Sequence, residues 1–538
     1  MRTVPPPTVP PPTASPPTNP DDRLLGRFGY RQRFQRSLKP FESFGIVFSF
    51  ISITMALFVS FGFLLGVAGP RGIWIWPIAF AGQLLVCLIC AAMAAKIPVT
   101  GVSYQWGSRL ANPTVGWWLG WLAFMTLVIL TVSVNYAFVE LAFQPMLGIE
   151  YTPLGAATQT FILLAIEAAL IIGSTIITTR LNNVAVVFEI VGMVELSIVL
   201  FAAALLAGQG DWDNLWSTGV VPEAGWFSWL GPVMLATVLG SFTLLGFETA
   251  ANFAEETQSP RRVVPKAMIQ ALVAAGVIGM IFLIATAVAT GDVTATTSDP
   301  APVAFILEDV LGPSIEKVFL FFICVSMFCC GLITMATNAR VVWSMARDRR
   351  LPGHQLLARV PRATGGPSWA TVLAAVAPAV PLVVVRSNTD ALIDLFTAGT
   401  LMPAITYTGT VLLYAAVASR LRSEPGSFQL GRWQQLVVAG ALAWLAYELI
   451  VLLAPDIFRA AQRYALVVML LGLVVFGLTW LLEPRAMRAQ RGAVGREAPP
   501  TDGRQPSNGQ PPRPSDEATI PDPQRSPSDG LDHVYLRR

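Results

Sequence analysis

An all-α integral membrane protein with about twelve transmembrane helices is the fold this sequence predicts. Three features predict it: a composition too apolar for a soluble domain, apolar runs of membrane-crossing length, and basic residues concentrated in alternate connections. Of 538 residues, 54% are hydrophobic and 13% charged, with mean hydropathy +0.58. An ordinary soluble domain carries about 25% charged residues. About 20 apolar residues suffice to cross the hydrocarbon layer, and a helix is the form in which they satisfy their own backbone there.

The apolar runs fall at roughly 44–68, 72–95, 118–146, 158–179, 183–207, 228–253, 265–290, 315–345, 368–386, 390–418, 434–454 and 463–483, with boundaries good to a few residues. They define a transmembrane domain over residues 41–483. Before it, residues 1–40 open with MRTVPPPTVPPPTASPPTNPDD, and after it residues 484–538 mix Pro, Arg, Asp and Gly without apolar periodicity. Neither can bury a core, so both are expected to be disordered tails. A proline tract stands where a secretory signal would have its apolar region, so the first span is expected to serve as the insertion signal.

The basic residues orient the spans. With the N-terminus inside, the inner connections carry Arg31, Arg33, Arg36, Lys39, Arg109, Arg180, Arg261, Arg262, Lys266, Arg347, Arg349 and Arg350, among others. The outer ones carry only Arg71, Lys317, Arg386, Arg459 and Arg463, beside Asp211, Asp213, Asp292, Asp299 and Asp309. The positive-inside rule then places both termini in the cytoplasm, and a bacterial inner membrane is the expected location. The small net charge of +3 hides this asymmetry and implies no nucleic acid partner.

Several chemistries are excluded by residue inventory. Only His354 and His533 are present, so neither bis-histidine haem nor an HExxH zinc site can be built, and no GxxxxGK[ST] phosphate loop occurs. Cys87, Cys90, Cys324, Cys329 and Cys330 all fall inside proposed spans, where they read as packing residues rather than a redox pair. No cofactor, metal or enzymatic role is expected. A secondary transporter or a passive channel remains.

Gly240–Lys266, GSFTLLGFETAANFAEETQSPRRVVPK, separates those two. A membrane-depth apolar segment breaks there around Ser241, Phe242, Thr243, Leu244, Leu245 and Gly246, and runs into a charged connection. Broken backbone at that depth is tolerated where it is buried in protein or lines a cavity. The first span carries Ser49, Ser52, Thr54 and Ser60. Matching breaks in spans one and six would leave N–H groups at one half-helix start and carbonyls at a half-helix end, which a zwitterion satisfies together. The same serines and threonines read equally as hydroxyls bonded back to their own helix. Thr131 and Asn135 are four apart on one face of the third span, pointing either into the site or at a neighbouring helix.

Glu140, Glu167, Glu189, Glu195, Glu248 and Glu448 lie within proposed spans, where a charge is unfavourable by about 2.5–3.5 kcal/mol even on a gentle scale. Lys39, Lys96, Lys266 and Lys317 lie at span ends, so these acids are expected to be neutral, hydrogen-bonded or cavity-facing. Glu248 follows the sixth-span break directly and is the candidate for gating or proton coupling; the others read better as interhelical hydrogen bonds.

Several motifs in order resemble the amino acid, polyamine and organocation (APC) transporter superfamily. The run Glu248 to Arg262, with Ala254-Glu255-Glu256-Thr257 before Pro260-Arg261-Arg262, resembles its sixth helix and following loop. Asn338-Ala-Arg340-Val-Val-Trp-Ser-Met-Ala-Arg347-Asp348-Arg-Arg-Leu351-Pro352 resembles its eighth-helix exit, and Asp394-Leu-Phe-Thr397-Ala-Gly399-Thr400-Leu its tenth helix. Ser43 to Thr54, Tyr104-Gln-Trp106 and Asn112-Pro-Thr-Val-Gly116-Trp117 look most like the branch of bacterial and fungal γ-aminobutyrate, choline and general amino acid permeases.

The resemblance implies a LeuT-type core of two inverted five-helix repeats, with broken helices one and six, plus two further helices. It implies a substrate site at Ser52, Thr54, Met55, Ala56, Phe242, Thr243, Leu245 and Gly246, to which the polar face of the third span adds Thr131, with Phe242 as an aromatic gate or simply a packing residue and Glu248 as the coupling carboxylate. Arg261, Arg262, Arg347 and Asp348 would brace the inner side. One departure stands out: relatives commonly have glycine at the unwound point of helix one, where this chain has Met55-Ala56, and alanine resists a positive φ. A substrate bulkier, smaller or other than a standard α-amino acid would follow. The implied function is import of an amino acid or related amine, coupled to a proton or to sodium, among membrane lipids. A passive exchanger or transporter-like nutrient sensor is the alternative.

Overall fold

Residues 20–206, 210–361, 365–385, 391–418 and 427–488 are described by the computed structural model. Within them helices dominate, and the Leu38–Thr257 bridge is the isolated strand-like pairing. Ten helical stretches are long and apolar enough to cross a membrane, and two shorter apolar ones, Pro232–Thr243 and Ser368–Val383, complete the twelve. Outward-facing Phe161, Ile198, Leu466, Val467 and Leu473 give the bundle a lipid-compatible surface. Lipid is as apolar as these side chains, so close packing rather than the hydrophobic effect holds the helices to one another.

In chain order, α1 is Pro20–Arg27, and the first span is split into α2 (Pro40–Ile51) and α3 (Ile53–Ala68). Then come α4 (Trp76–Lys96), a short α5 (Val102–Leu110), α6 (Pro113–Phe138), α7 (Pro153–Gly173) and α8 (Thr175–Leu206). The sixth span is split into α9 (Thr237–Thr243) and α10 (Thr249–Asn252). It is followed by α11 (Pro260–Ala289), α12 (Pro302–Leu311), α13 (Pro313–Arg347), the ninth span as α14 (Ser368–Val376) and α15 (Ala379–Val385), α16 (Ala391–Val417), α17 (Gln434–Leu453) and α18 (Arg459–Leu482). Two sets of five spans, each beginning with a broken helix, precede two further helices, which is the LeuT-type arrangement. Proline at the first turn starts α2, α6, α7, α11 and α13, where its missing N–H would be unpaired in any case. Gly82 on α4 admits α17: a Cβ there would lie 2.0 Å from the Trp444 ring.

The expectation that residues 1–40 are a disordered tail is corrected for its second half. From Leu25 onward the chain buries Leu25, Phe28, Tyr30, Phe34 and Leu38 beneath the bundle. Leu38 exchanges backbone hydrogen bonds with the 256–258 segment, at 3.0 Å to the Glu256 carbonyl and 2.9 Å from Gln258. Each large apolar side chain removed from water there contributes up to about 1.5–3 kcal/mol, enough to order a short segment. Residues 1–19 lie outside the described residues. So does the C-terminal tail from 489, while Pro484–Arg488 before it forms a further short helix with Met487 buried.

This tail end of the bundle is tied by buried charges. Arg340 donates to both oxygens of Glu256, at 2.6 and 3.1 Å, with both side chains 3% exposed. Arg347 donates to Glu255 at 2.9 and 3.0 Å and lies 3.6 Å over the Tyr30 ring. Asp348 accepts from Tyr30, at 2.8 Å to the nearer oxygen, and from Tyr104 at 2.7 Å. Burial, with the Asp348 charge second, pushes both tyrosine hydroxyls above their usual range, so they remain donors. At the far end α12 packs along α3, where Pro302 contacts the Gly62 position, and Trp226 donates to the Ala68 carbonyl at 2.9 Å.

Candidate substrate site between two broken helices

The break in the first span falls at Ser52, which takes φ +35° and ψ +82°, a left-handed conformation uncommon outside glycine. Ile53 begins α3 immediately, so Ala56 is helical and its N–H bonds the Ser52 carbonyl at 2.9 Å. The expected unwinding at Met55-Ala56 is therefore corrected to Ser52, and alanine at 56 has no positive φ to resist. Holding a serine in that conformation requires compensation. The Ser52 hydroxyl accepts from the Met55 N–H at 3.4 Å and lies 3.3 Å from the Ser326 hydroxyl on α13.

The start of α3 is already occupied. Glu189 on α8 accepts from the Thr54 N–H at 3.4 Å, so a protein carboxylate stands where the N–H groups were expected to wait for a substrate's. Thr54 faces a crevice beside Glu189, Phe188 and Phe322, away from the sixth span. The structure thus separates Ser52 and Thr54 from the other site candidates.

The sixth-span break lies slightly later than expected. Ser241, Phe242 and Thr243 are still in α9, and the chain leaves the helical pattern over 244–248. Gly246 sits at φ +81°, and a Cβ there would lie 2.0 Å from the Phe50 ring. Its glycine is thus required twice over, by conformation and by the approach of Phe50. The Tyr407 hydroxyl on α16 accepts from the Gly246 N–H at 2.8 Å and donates to Glu248 at 2.7 Å. One hydroxyl therefore joins the exposed backbone of the break to its carboxylate.

Two cavities flank the Phe50–Gly246 contact. The one toward the far end, about 250 Å³ with its mouth, is lined by Ile51, Met55, Ala56, Phe242, Leu245 and Thr334, among others. Phe242 meets Phe396 edge-on, with ring centres 4.7 Å apart, and Phe396 in turn meets Phe63 at 5.4 Å, which places a row of aromatics between this cavity and the far end. The cavity on the tail side, about 480 Å³ with its mouth, is lined by Gly101, Ser103, Glu248, Asn252, Thr337 and Tyr407, among others. Phe50, Leu130 and Leu245 border both.

Met55, Ala56, Phe242 and Leu245 thus share one cavity, and Leu245, Gly246 and Glu248 the other. Thr131 and Thr243 reach neither. Each hydroxyl is bonded back to its own helix, at 2.6 Å to the Leu127 carbonyl and 2.7 Å to the Leu239 carbonyl. Asn135 donates to Glu167 on α7 at 3.1 Å, an interhelical tie. Glu448 lies 3.5 Å from the Gln83 amide, and Glu140 sits on the π-helical turn Val139–Phe143. Glu195 is exposed on the outer face of α8 and lines neither cavity, which leaves the neutral form among the alternatives expected of it. Arg347 and Asp348 brace the tail end as expected.

Phe50, Tyr407 and Asn252 were not singled out in the sequence. A tyrosine four residues after Pro403, inside an apolar span, was the available signal for Tyr407. Replacing it tests the bridge: Tyr407→Phe is expected to destabilise the protein by about 1–3 kcal/mol, since the Gly246 N–H and Glu248 both lose their partner. Thermal unfolding of purified protein measures this; an unchanged midpoint would mean that the hydroxyl is replaceable.

Comparison with known proteins agrees with this architecture. The amino acid permease family profile matches residues 38–476. An uncharacterized amino-acid permease of Schizosaccharomyces pombe is 24% identical over 487 residues, spanning 86% of this chain and 88% of its own. A GABA-specific permease of Saccharomyces cerevisiae is 24% identical over 83% of this chain and 81% of its own. An amino-acid permease of Neurospora crassa is 24% identical over 86% and 88% respectively.

Proposed function

The chain belongs to the amino acid permease family, and on that premise we propose that it is a secondary active transporter of an amino acid or related amine. It works by alternating access in the cytoplasmic membrane, with both termini on the cytoplasmic side and a proton as coupling ion. The observation that carries the reading is the pairing of Gly246 and Glu248 through Tyr407 at the wall between the two cavities. The far-side cavity is the substrate site, with Met55, Ala56 and Phe242 around the cargo and the sixth-span backbone supplying polar contacts. The tail end, with Arg31, Arg36, Arg261, Arg347 and Arg350, is the cytoplasmic one by the positive-inside rule.

Proton coupling follows from how Glu248 is held. Its carboxyl is half-buried at a break that has to open and close, and among the described residues no basic side chain forms an ion pair with it. Its charge state therefore biases which arrangement is favoured. A proton taken up at one face and released at the other ties the gradient to that switch.

Uptake into proteoliposomes, with and without an imposed pH gradient, tests this against passive exchange. Accumulation above equilibrium is expected only with the gradient, for one or more of a panel of labelled amino acids and amines. Glu248→Gln keeps size but cannot release a proton, and is expected to impair gradient-driven accumulation more than it impairs binding. Accumulation at the parental level in a well-folded Glu248→Gln protein would take Glu248 out of the coupling step.

A further inference from the structure

The tail-side cavity carries a pattern of which the transport reading uses only Glu248 and its Tyr407 partner. On its sixth-span wall Glu248 and Asn252 lie four residues apart, hence on one face, and both are acceptors facing the cavity. Asn252 is 4% exposed, and its Oδ1 has no hydrogen-bond partner among the described residues. A buried amide oxygen left unpaired is unfavourable, and within a cavity it marks a place for a donor. The neighbouring hydroxyls are already engaged: Thr337 bonds the Ile333 carbonyl at 2.7 Å, and Ser103 pairs with Thr410 at 3.2 Å. No basic side chain lines the cavity among the described residues.

Another part of the lining has the complementary polarity. Gly101, Val102 and Ser103, at the start of the nine-residue α5, line it, and no side chain caps that start. A helix start presents N–H groups and the positive end of the helix dipole. Just before that start the Thr100 N–H donates to Glu255 at 3.2 Å, whereas on α3 it is an N–H of the first turn itself, that of Thr54, that is taken by Glu189.

We propose that this cavity is a subsite for the head group of a zwitterionic amino acid. The ammonium donates to Glu248 and to Asn252 Oδ1, and the carboxylate lies against the start of α5. An ammonium has three donors and no acceptor, which matches one wall; a carboxylate only accepts, which matches the other. The inference rests on the amino acid reading above and adds the place of head-group recognition, one step toward the tail end from the apolar cavity. It also adds a specificity: amine-bearing ligands bind there, and plain carboxylic acids of the same length do not.

The test is equilibrium binding to purified full-length protein in nanodiscs, with tritiated 4-aminobutanoate and tritiated L-alanine as probes and with butylamine and butanoate as competitors. Asn252→Leu removes the acceptor at similar volume and is expected to weaken the bound probe at least tenfold. Asn252→Asp keeps an acceptor and is expected to stay within about threefold of the parent, a difference of roughly 0.7 kcal/mol. Val341→Met fills the same cavity without touching a polar group, and is expected to weaken binding as Asn252→Leu does. Butylamine should compete and butanoate should not. Tight probe binding indifferent to both Asn252→Leu and Val341→Met would overturn the subsite and leave the transport reading standing. Absence of binding of either probe to the parent would overturn the amino acid reading and the subsite together. Should Asn252→Leu fail to give monodisperse protein, Val341→Met decides alone.

Discussion

Gly246→Val is expected to lower apparent substrate affinity by about 2–5 kcal/mol. The left-handed φ of +81° is unfavourable for a β-branched residue by about 1–2 kcal/mol, and overpacking a full site adds about 1–3 kcal/mol. The new side chain would have to displace the Phe50 ring, the wall shared by both cavities, so no small shift accommodates it. Ala56→Val adds volume on the helical side of the far cavity, with no backbone conflict, and should show only the overpacking part. The measurement is concentration-dependent uptake of the best substrate by correctly inserted, detergent-stable protein, with Thr294→Val, exposed on the short far-end helix Val293–Ser298, as the neutral comparison in place of the buried Thr296. Parental affinity in both Gly246→Val and Ala56→Val would move the substrate away from the space between the two breaks.

Glu256→Ala carries the second large effect, on stability, and should destabilise the protein by about 3–5 kcal/mol. It strands the Arg340 guanidinium, 3% exposed, with only the Ala336 carbonyl at 2.9 Å and the Phe253 ring at 3.8 Å for company. Replacing both partners is a different matter: Glu256→Gln with Arg340→Met removes the charge together with its partner and should recover most of the loss. Thermal and chemical unfolding of the two proteins side by side distinguishes these outcomes. A single mutant as stable as the parent would show that Arg340 finds water and that the tail-end pair is not a structural tie.

The part of the site legible in the sequence was the part written locally. The sixth-span interruption stands in a run of small and polar residues ending in Gly246, and the structure moves it only to 244–248. The first-span break was misplaced by a few residues, because a search for the residue best able to unwind passes over a serine. Ser52 holds its left-handed turn through the Ser326 hydroxyl, 274 positions away, and beside it Glu189 binds the Thr54 N–H from 135 positions away. Thr131 and Thr243 were chosen for polarity, but in an apolar interior a threonine satisfies itself on its own helix and need not turn toward a cavity. Residues 23–40 were grouped with the proline-rich start, although Leu25, Phe28, Phe34 and Leu38 supply a spaced apolar set that becomes meaningful only against the bundle end that covers it.

The sequence by itself determined a helical membrane protein of twelve spans, broken in the sixth, with its basic residues at one end and a family-level identity as a transporter. The family rests on the resemblance of several motifs in order; the other properties follow from run length, composition and charge, which act residue by residue against lipid and water. Only the tertiary structure decided which groups meet: Tyr407 between Gly246 and Glu248, Glu189 at the start of α3, Phe50 against Gly246, and Asn252 on the same cavity as the start of α5. The physical reason is that a buried polar group in a membrane bundle must find its partner wherever the helices bring one. That choice is made by packing between spans far apart in the chain, on which local patterning is silent.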